Sequence, residues 1–184
     1  FSPLMTLYLT DNTTADDIIE AHASQLVHAV KLYPAGATTH SDAGVTAICN
    51  TYATLEVMEK LGMPLLVHAE VTDASVDVFD REKAFIDSTL EPLTVRYPAL
   101  KVMLEHVTTR DGVDFVLNSA DSVAATITAH HLLLNRNAMF SGGLQPHAYC
   151  LPVLKRETHR SALIEAAISG NRKFSLAPTV LHMQ

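Results

Sequence analysis

The sequence predicts an α/β fold, a TIM-type (β/α)8 barrel represented by about six of its eight βα units. Short apolar runs alternate with amphipathic segments, and such alternation favours parallel strands joined by right-handed crossovers. The 184 residues fall short of the roughly 200 to 250 that a complete barrel usually needs. Because no linker or change of composition divides the chain, we expect residues 1–184 to form a single, partial barrel domain.

The strand predictions rest on short runs that are apolar or rich in β-branched residues and are bounded by turn residues. Six such runs occur along the chain, and each is followed by a segment of helical spacing or by the chain end. The runs are 4–10, 29–33, 64–70, 101–107, 123–128 and a last, short one over 173–176.

Five helices are predicted between these strands from apolar periodicity and from capping residues. They are a helix capped by Thr13 or Thr14 and reaching about residue 24, one over 45–58 that Gly62 ends, one after Asp80 that ends before Pro98, one over 110–119, and one from Pro152 to about residue 169. Residues 129–151 remain as a long irregular segment, and a loop of that length inside a compact domain is usually functional.

Composition excludes several classes of partner. The net charge of −7 and the absence of a long run of one sign argue against nucleic acid or an anionic membrane surface. No apolar stretch is long enough to span a membrane, and no signal-peptide pattern opens the chain. The start at Phe1 suggests a processed or cut end, so a targeting segment would not be visible. Cys49 and Cys150 are not spaced as a metal-binding pair, and they fit a reduced compartment or core packing.

Three of the predicted strands carry a polar residue near their carboxyl ends: Lys31, His68 and His106. The carboxyl ends of parallel strands meet at one rim of a barrel, so these side chains describe a metal site there. A lone histidine is more often a satisfied core residue, and a lysine in a strand often forms a salt bridge. The recurrence at the same place on successive strands favours the metal site.

The lysine is the least usual member of this set, because a buried ammonium is costly unless it is paired. A neutral, desolvated lysine is nucleophilic and can take up carbon dioxide to form a carbamate, an anionic oxygen ligand able to bridge two metal ions. With His68 and His106 it would offer the mixed donors that suit zinc. Glu70 lies on the same side of its run as His68 and is a candidate partner of that imidazole. Strand alternation directs Glu105 away from His106, which favours a structural role for Glu105.

The loop over 34–41, just past Lys31, consists of small and hydroxyl residues. Thr38 and Thr39 are either ordinary turn hydroxyls or donors on a lid that closes over substrate. The lack of apolar anchors predicts that this loop is mobile without ligand. The pair Gly142-Gly143 is too short for a phosphate loop and predicts no cofactor.

Several collinear motifs together carry a resemblance to a known family. They are Lys31-Leu32-Tyr33-Pro34-Ala35 with Ala37-Thr38-Thr39, Met63-Pro64-Leu65-Leu66-Val67-His68, Phe79-Asp80-Arg81-Glu82, Glu105-His106-Val107-Thr108-Thr109, the run 131–137 and the run from Gly142-Gly143 to Arg156. From Phe1 to about residue 174 the chain resembles dihydroorotase, the zinc-dependent cyclic amidohydrolase of pyrimidine synthesis. The similarity is greatest to the short, non-fused type of bacteria and plants.

The resemblance implies a TIM barrel with a binuclear zinc centre that interconverts N-carbamoyl-L-aspartate and L-dihydroorotate. It also implies a cytoplasmic or organellar enzyme (mitochondrion or plastid) with a small-molecule substrate. The implied ligands of one zinc ion are carboxylated Lys31, His68 and His106. The implied substrate contacts are the loop residues Thr38 and Thr39 and the backbone of Leu151.

Both ends of the family pattern are missing from this sequence. The family's first strand carries a His-x-His pair, which is absent here, and no aspartate occurs over 174–184, where the family has its general base. No catalytic residue is therefore identified, and we expect at most one zinc ion and negligible turnover by these 184 residues alone. The alternatives are an inactive subunit of a larger assembly, or an α/β domain whose motifs now only pack. Because two missing strands would leave exposed edges, we expect a homo-oligomer or a larger complex.

Overall fold

The computed structural model describes residues 3–177, and within them six strands form one parallel sheet in the order of the chain. The strands are β1 (Met5–Leu9), β2 (Val27–Leu32), β3 (Leu65–Val67), β4 (Val102–Leu104), β5 (Val123–Thr128) and β6 (Phe174–Ala177). Each strand pairs in parallel with the next. This sequential parallel order is that of a (β/α)8 barrel, and it confirms the predicted fold class and its incomplete strand set.

The helices between the strands are α1 (Ala15–Ala23), α2 (Tyr52–Leu61), α3 (Arg81–Phe85), α4 (Glu91–Arg96), α5 (Arg110–Asn118), α6 (Ala129–Leu133) and α7 (Glu157–Ile168). A π-helical turn, Ile86–Leu90, joins α3 to α4, and 3-10 turns occupy Ile48–Thr51, Arg136–Met139 and Pro146–Ala148. Local sequence explains two boundaries. Thr14 and Asp17 form a capping box at the start of α1, and Gly62 ends α2 in a left-handed conformation with φ of +67°.

Two predictions about the second half of the chain were wrong. Helix α7 begins at Glu157 instead of Pro152, because the residues before it are needed in the interior. Val153 and Leu154 pack with Met139 in a small apolar cluster, and the side chain of Lys155 is also buried. The segment 129–151 is not irregular throughout, since it contains α6 and two 3-10 turns.

The two faces of the sheet differ in burial. Residues such as Val30, Leu65 and Ala125 are fully buried and belong to the main core cluster. The residues between them stand on the opposite face, since side chains alternate along a strand. On that face Lys31 lies in register with Tyr8 on β1 and Leu66 on β3, both half-buried. Lys31 therefore projects from the face that lies away from the main core.

Within residues 3–177, no helix combines the length and the apolar character needed to cross a bilayer.

Candidate metal centre

Lys31, His68 and His106 lie together at the carboxyl rim of the sheet. Lys31 is the second-last residue of β2, His68 directly follows β3, and His106 comes two residues after β4. The ring centroids of the two histidines are 4.9 Å apart. The ring of Tyr33 links the lysine to this pair, with its centroid 4.6 Å from Lys31 Nζ and 5.8 Å from the ring of His68. The structure thus brings the three predicted ligand residues into one cluster.

His106 is held in an uncommon conformation. Its φ is +44°, and its backbone N–H donates to Oγ1 of Thr126 at 2.8 Å. Its Nδ1 atom is buried without a hydrogen-bond partner among the described residues. Burial, reinforced by His68 and Lys31, holds the pKa of His106 well below its usual value, so the ring is neutral. A neutral imidazole with an unsatisfied buried nitrogen has the properties of a metal ligand.

His68 is oriented by a carboxylate. Its Nε2 atom lies 3.0 Å from Oε2 of Glu70, and both side chains are almost fully buried. This contact confirms the predicted partnership of Glu70 with His68. A carboxylate that accepts the Nε2 proton leaves the lone pair on Nδ1, and such pairs commonly fix the tautomer of metal-binding histidines.

Strand alternation predicted that Glu105 points away from His106 and has a structural role. Its carboxylate forms an ion pair with the ammonium group of Lys31, a partner that the sequence did not predict. Because β4 ends at Leu104 and the chain turns there, strand alternation does not apply to Glu105. Burial lowers the pKa of Lys31, while Glu105 opposes that shift. The ion pair therefore favours the charged form of Lys31, which burial disfavours.

The donors present fit a metal ion only when Lys31 carries a carbamate. Among residues 3–177, no group of three or more His, Cys, Asp and Glu side chains is arranged to hold a metal. His68 and His106 supply two nitrogen donors, of which Nδ1 of His106 is buried and unsatisfied. A carbamate on Lys31 would add the third donor, and two imidazoles with one oxygen suit zinc.

The predicted substrate contacts lie in two separate segments. Thr38 is half-buried and Thr39 is exposed, in a loop that ends at the buried Ser41. The hydroxyl of Ser41 donates to the carbonyl of Thr38 at 2.6 Å and accepts from its N–H at 2.9 Å. Ala37 is also buried, so the loop has an apolar anchor that the sequence reading did not recognise. Leu151 is half-buried beside the small cluster around Met139.

A buried carboxylate, Glu82, fastens the turn that follows His106, and sequence reasoning gave it no role. It accepts hydrogen bonds from the backbone N–H groups of Thr108 and Thr109, both at 2.9 Å, and from their hydroxyls at 2.8 and 2.5 Å. Gly112 leaves room for it, since a Cβ there would stand 2.7 Å from Oε1 of Glu82. Glu82 and its threonines lie inside the quoted motifs, which was the only sign of them in the sequence.

Lys155 is a second buried charge that sequence reasoning missed. Its side chain donates to the carbonyl of Val153 at 2.9 Å, and its Nζ lies 3.9 Å from Oε1 of Glu70. It also falls within a quoted motif, but its position in the predicted helix from Pro152 gave no reason to expect burial.

Comparison with solved structures finds the same fold in dihydroorotases and in a hydantoinase. Dihydroorotase from Campylobacter jejuni superposes with a TM-score of 0.87 at 37% identity, over 96% of this chain and 50% of that one. Dihydroorotase from Saccharomyces cerevisiae, solved with 5-fluoroorotic acid, gives 0.85 at 34% identity, over 95% of this chain and 51% of that one. A D-hydantoinase at 17% identity, with a TM-score of 0.72 over 95% of this chain and 42% of that one, shares the fold alone.

Sequence comparisons agree with the structural ones. The dihydroorotases of Nitrosomonas eutropha and Aromatoleum aromaticum are each 66% identical over 176 residues, 96% of this chain and 51% of theirs. The chain thus spans about half the length of the curated relatives it matches. The profile of the amidohydrolase family matches residues 1–177. Because this match covers nearly the whole sequence, the chain belongs to the amidohydrolase family.

Proposed function

We propose that this chain is part of a dihydroorotase, which catalyses the reversible cyclisation of N-carbamoyl-L-aspartate to L-dihydroorotate in pyrimidine biosynthesis. The observation that carries the proposal is the convergence of Lys31, His68 and His106 at one rim, with the buried Nδ1 of His106 unsatisfied. It is supported by the identity of about 65% to dihydroorotases. In this proposal residues 1–184 belong to one barrel domain of an enzyme of the cytoplasm or of an organelle.

The proposed cofactor is zinc, held by imidazole nitrogens of His68 and His106 and by a carbamate oxygen of Lys31. When bound, zinc acidifies a coordinated water and polarises a carbonyl. The chain's own part is to present the donors in a fixed geometry. Glu70 fixes the tautomer of His68, and Thr126 holds the backbone of His106.

The proposed substrate contacts are the hydroxyls of Thr38 and Thr39 and the backbone of Leu151. Neither threonine hydroxyl makes a hydrogen bond to another described residue, so both are free to donate to a ligand. The carbonyl of Leu151 accepts only the weak donor Sγ of Cys150, 3.7 Å away, among the contacts described.

We further propose that the 184 residues alone bind at most one zinc ion and turn over dihydroorotate negligibly. The sequence holds no His-x-His pair, and no aspartate occurs over 174–184, most of which lies outside the described residues. Hydrolysing a ring amide needs a base that moves the proton from water to the leaving nitrogen, and losing the base typically costs about 10²–10⁴-fold.

A second candidate is a catalytically inactive structural subunit of a larger assembly. The ion pair between Lys31 and Glu105 favours it, since a lysine retained only for packing would be paired in this way. Both candidates are consistent with a homo-oligomer or a larger complex. Leu4 beside β1 and Leu176 on β6 are 72% and 68% exposed at the two outer strands of the described sheet.

The test is to equilibrate the purified chain with zinc and bicarbonate, then measure zinc per chain and hydrolysis of dihydroorotate. We expect one zinc ion in the wild type, none in His106→Ala, and negligible turnover in both. His28→Ala is the matched control, because His28 is exposed at the opposite end of β2 and should leave zinc binding unchanged. A wild type that binds no zinc would overturn the metal site in favour of the structural subunit. Two zinc ions with ordinary turnover would overturn the expected inactivity.

A further inference from the structure

We propose that Lys155 is a positioning residue for the candidate metal ligand His68, because its ammonium group lies 3.9 Å from the carboxylate that orients this imidazole. The inference rests on the proposed metal-binding function of this site. It adds a component that neither the ligand set nor the substrate contacts include. Lys155 itself touches neither histidine.

Lys155 is connected to His68 through Glu70. Its Oε2 atom is used by His68, whereas its Oε1 atom is buried and has no hydrogen-bond partner among the described residues. Lys155 Nζ, 3.9 Å from Oε1, is the cation that compensates this oxygen, and both side chains are only 2% exposed. An ion pair at this distance is far stronger in a buried site than in water, and an uncompensated buried carboxylate would be strongly disfavoured. Lys155 therefore holds the carboxylate of Glu70 in the place that His68 requires.

Lys155 is itself placed rigidly enough for this role. Its ammonium group donates to the carbonyl of Val153 at 2.9 Å, and Val153 packs beside Met139. The other charged neighbours are Glu82, Asp80 and Arg81, of which Arg81 opposes the effect of the two carboxylates on Lys155. Removing the charge of Lys155 would leave the unpartnered Oε1 atom of Glu70 buried without its cation.

The experiment compares the imidazole nitrogen NMR signals of the metal-free chain in the wild type and in Lys155→Met, which keeps the length of the side chain without its charge. We expect Lys155→Met to shift the signal of His68 and to weaken zinc binding by about 10–100-fold, the usual cost of losing support behind a metal ligand. Lys60→Met is the matched control. Lys60 is an exposed lysine paired with Glu56, so its loss should change neither signal nor zinc affinity.

The inference is overturned if Lys155→Met lowers thermal stability while the His68 signal and the zinc affinity stay unchanged, since Lys155 would then be merely structural. If Lys155→Met does not fold, Lys155→Gln, which removes the charge and keeps a polar end, is measured in the same way and should also shift the signal of His68. An unchanged His68 signal in that variant would also overturn the inference. A wild type that binds no zinc would refute the proposed function, whereas the metal-free imidazole signals would still decide the role of Lys155.

Discussion

The ammonium group of Lys31 on β2 is paired with the carboxylate of Glu105, which directly follows β4. Strand β3 lies between these two strands in the sheet. A carbamate forms only on a neutral amine, and Glu105 stabilises the charged one. Glu105 and carbon dioxide therefore compete for Lys31. The sequence reading of Lys31 left a salt bridge and a metal ligand as alternatives, and the structure shows the salt bridge in a site whose other donors suit a metal.

Replacing Glu105 with glutamine should promote carboxylation of Lys31. Without the carboxylate, burial alone acts on Lys31, so its pKa falls further and the neutral amine is more abundant at neutral pH. We expect a stronger carbamate signal in the ¹³C NMR spectrum of Glu105→Gln in labelled bicarbonate. Glu56→Gln, which breaks the exposed pair with Lys60, should leave the spectrum as in the wild type. A weaker carbamate signal in Glu105→Gln would show that Glu105 assists the modification.

His131 should make the fold sensitive to acid. Burial, reinforced by His130, lowers the pKa of His131 to about 3. Its Nε2 faces the carbonyl of Pro152 at 3.1 Å and must donate to it, so Nδ1 accepts from Thr128, 2.6 Å away. Between the ordinary value near 6.5 and about 3, the unfolded chain binds more protons than the folded one, so stability falls as the pH falls.

The measurement is the free energy of unfolding in urea from pH 7 down to pH 5. His131→Gln should give a shallower loss below about pH 6, by up to about 1.4 kcal/mol per pH unit. His147→Gln, at an exposed position, should give a curve parallel to the wild type. A curve for His131→Gln that is also parallel would show that His131 does not titrate as the structure implies.

Ser41→Ala should loosen the loop that carries Thr38 and Thr39. The change removes two hydrogen bonds between the buried hydroxyl of Ser41 and the backbone of Thr38. At about 1 kcal/mol each, their loss should speed amide hydrogen exchange over residues 36–44 by about tenfold or more. Thr39→Ala, which removes an exposed hydroxyl, should leave the exchange unchanged. Equal exchange in the wild type and in Ser41→Ala would mean that the loop is already open, as the mobility prediction holds.

Gly112→Ala should destabilise the fold through a steric clash. An added Cβ would clash with Cγ2 of Val107 and stand 2.7 Å from Oε1 of Glu82. The carboxylate that binds Thr108 and Thr109 would therefore have to move. Forcing extra atoms into a packed core costs about 1–3 kcal/mol, which urea unfolding would measure. Asp114→Ala, exposed on the same helix, should change stability by at most about 0.5 kcal/mol. A Gly112→Ala variant as stable as the wild type would show that this turn can move to accommodate the added Cβ without cost.

The strand pattern was predictable because each strand is a short apolar run that must be buried, and parallel order follows from strict alternation with helices. Strand ends were less predictable. The runs 64–70 and 101–107 predict strands throughout, whereas β3 and β4 span only Leu65–Val67 and Val102–Leu104. Local composition does not show where a chain leaves a sheet, and Glu105 lies one residue past the end of β4, where strand alternation no longer applies.

The site residues that lie at the ends of single strands were predictable. Lys31, His68 and His106 stand out because polar residues at the ends of apolar runs need a reason. Glu82 and Lys155 come from a helix start and from an extended segment far away in sequence, and each is explained only by partners that the fold brings to it. Periodicity reports which face of an element is buried and carries no information on which buried charges meet.

We propose above all that carboxylated Lys31, His68 and His106 together hold one zinc ion. Native mass spectrometry of the chain after equilibration with zinc and bicarbonate is the sharpest test, because it counts metal and carbon dioxide in the same molecule. We expect a species that carries one zinc ion and one carbon dioxide, and the loss of both in Lys31→Met. Zinc bound without carbon dioxide, or zinc retained by Lys31→Met, would contradict it.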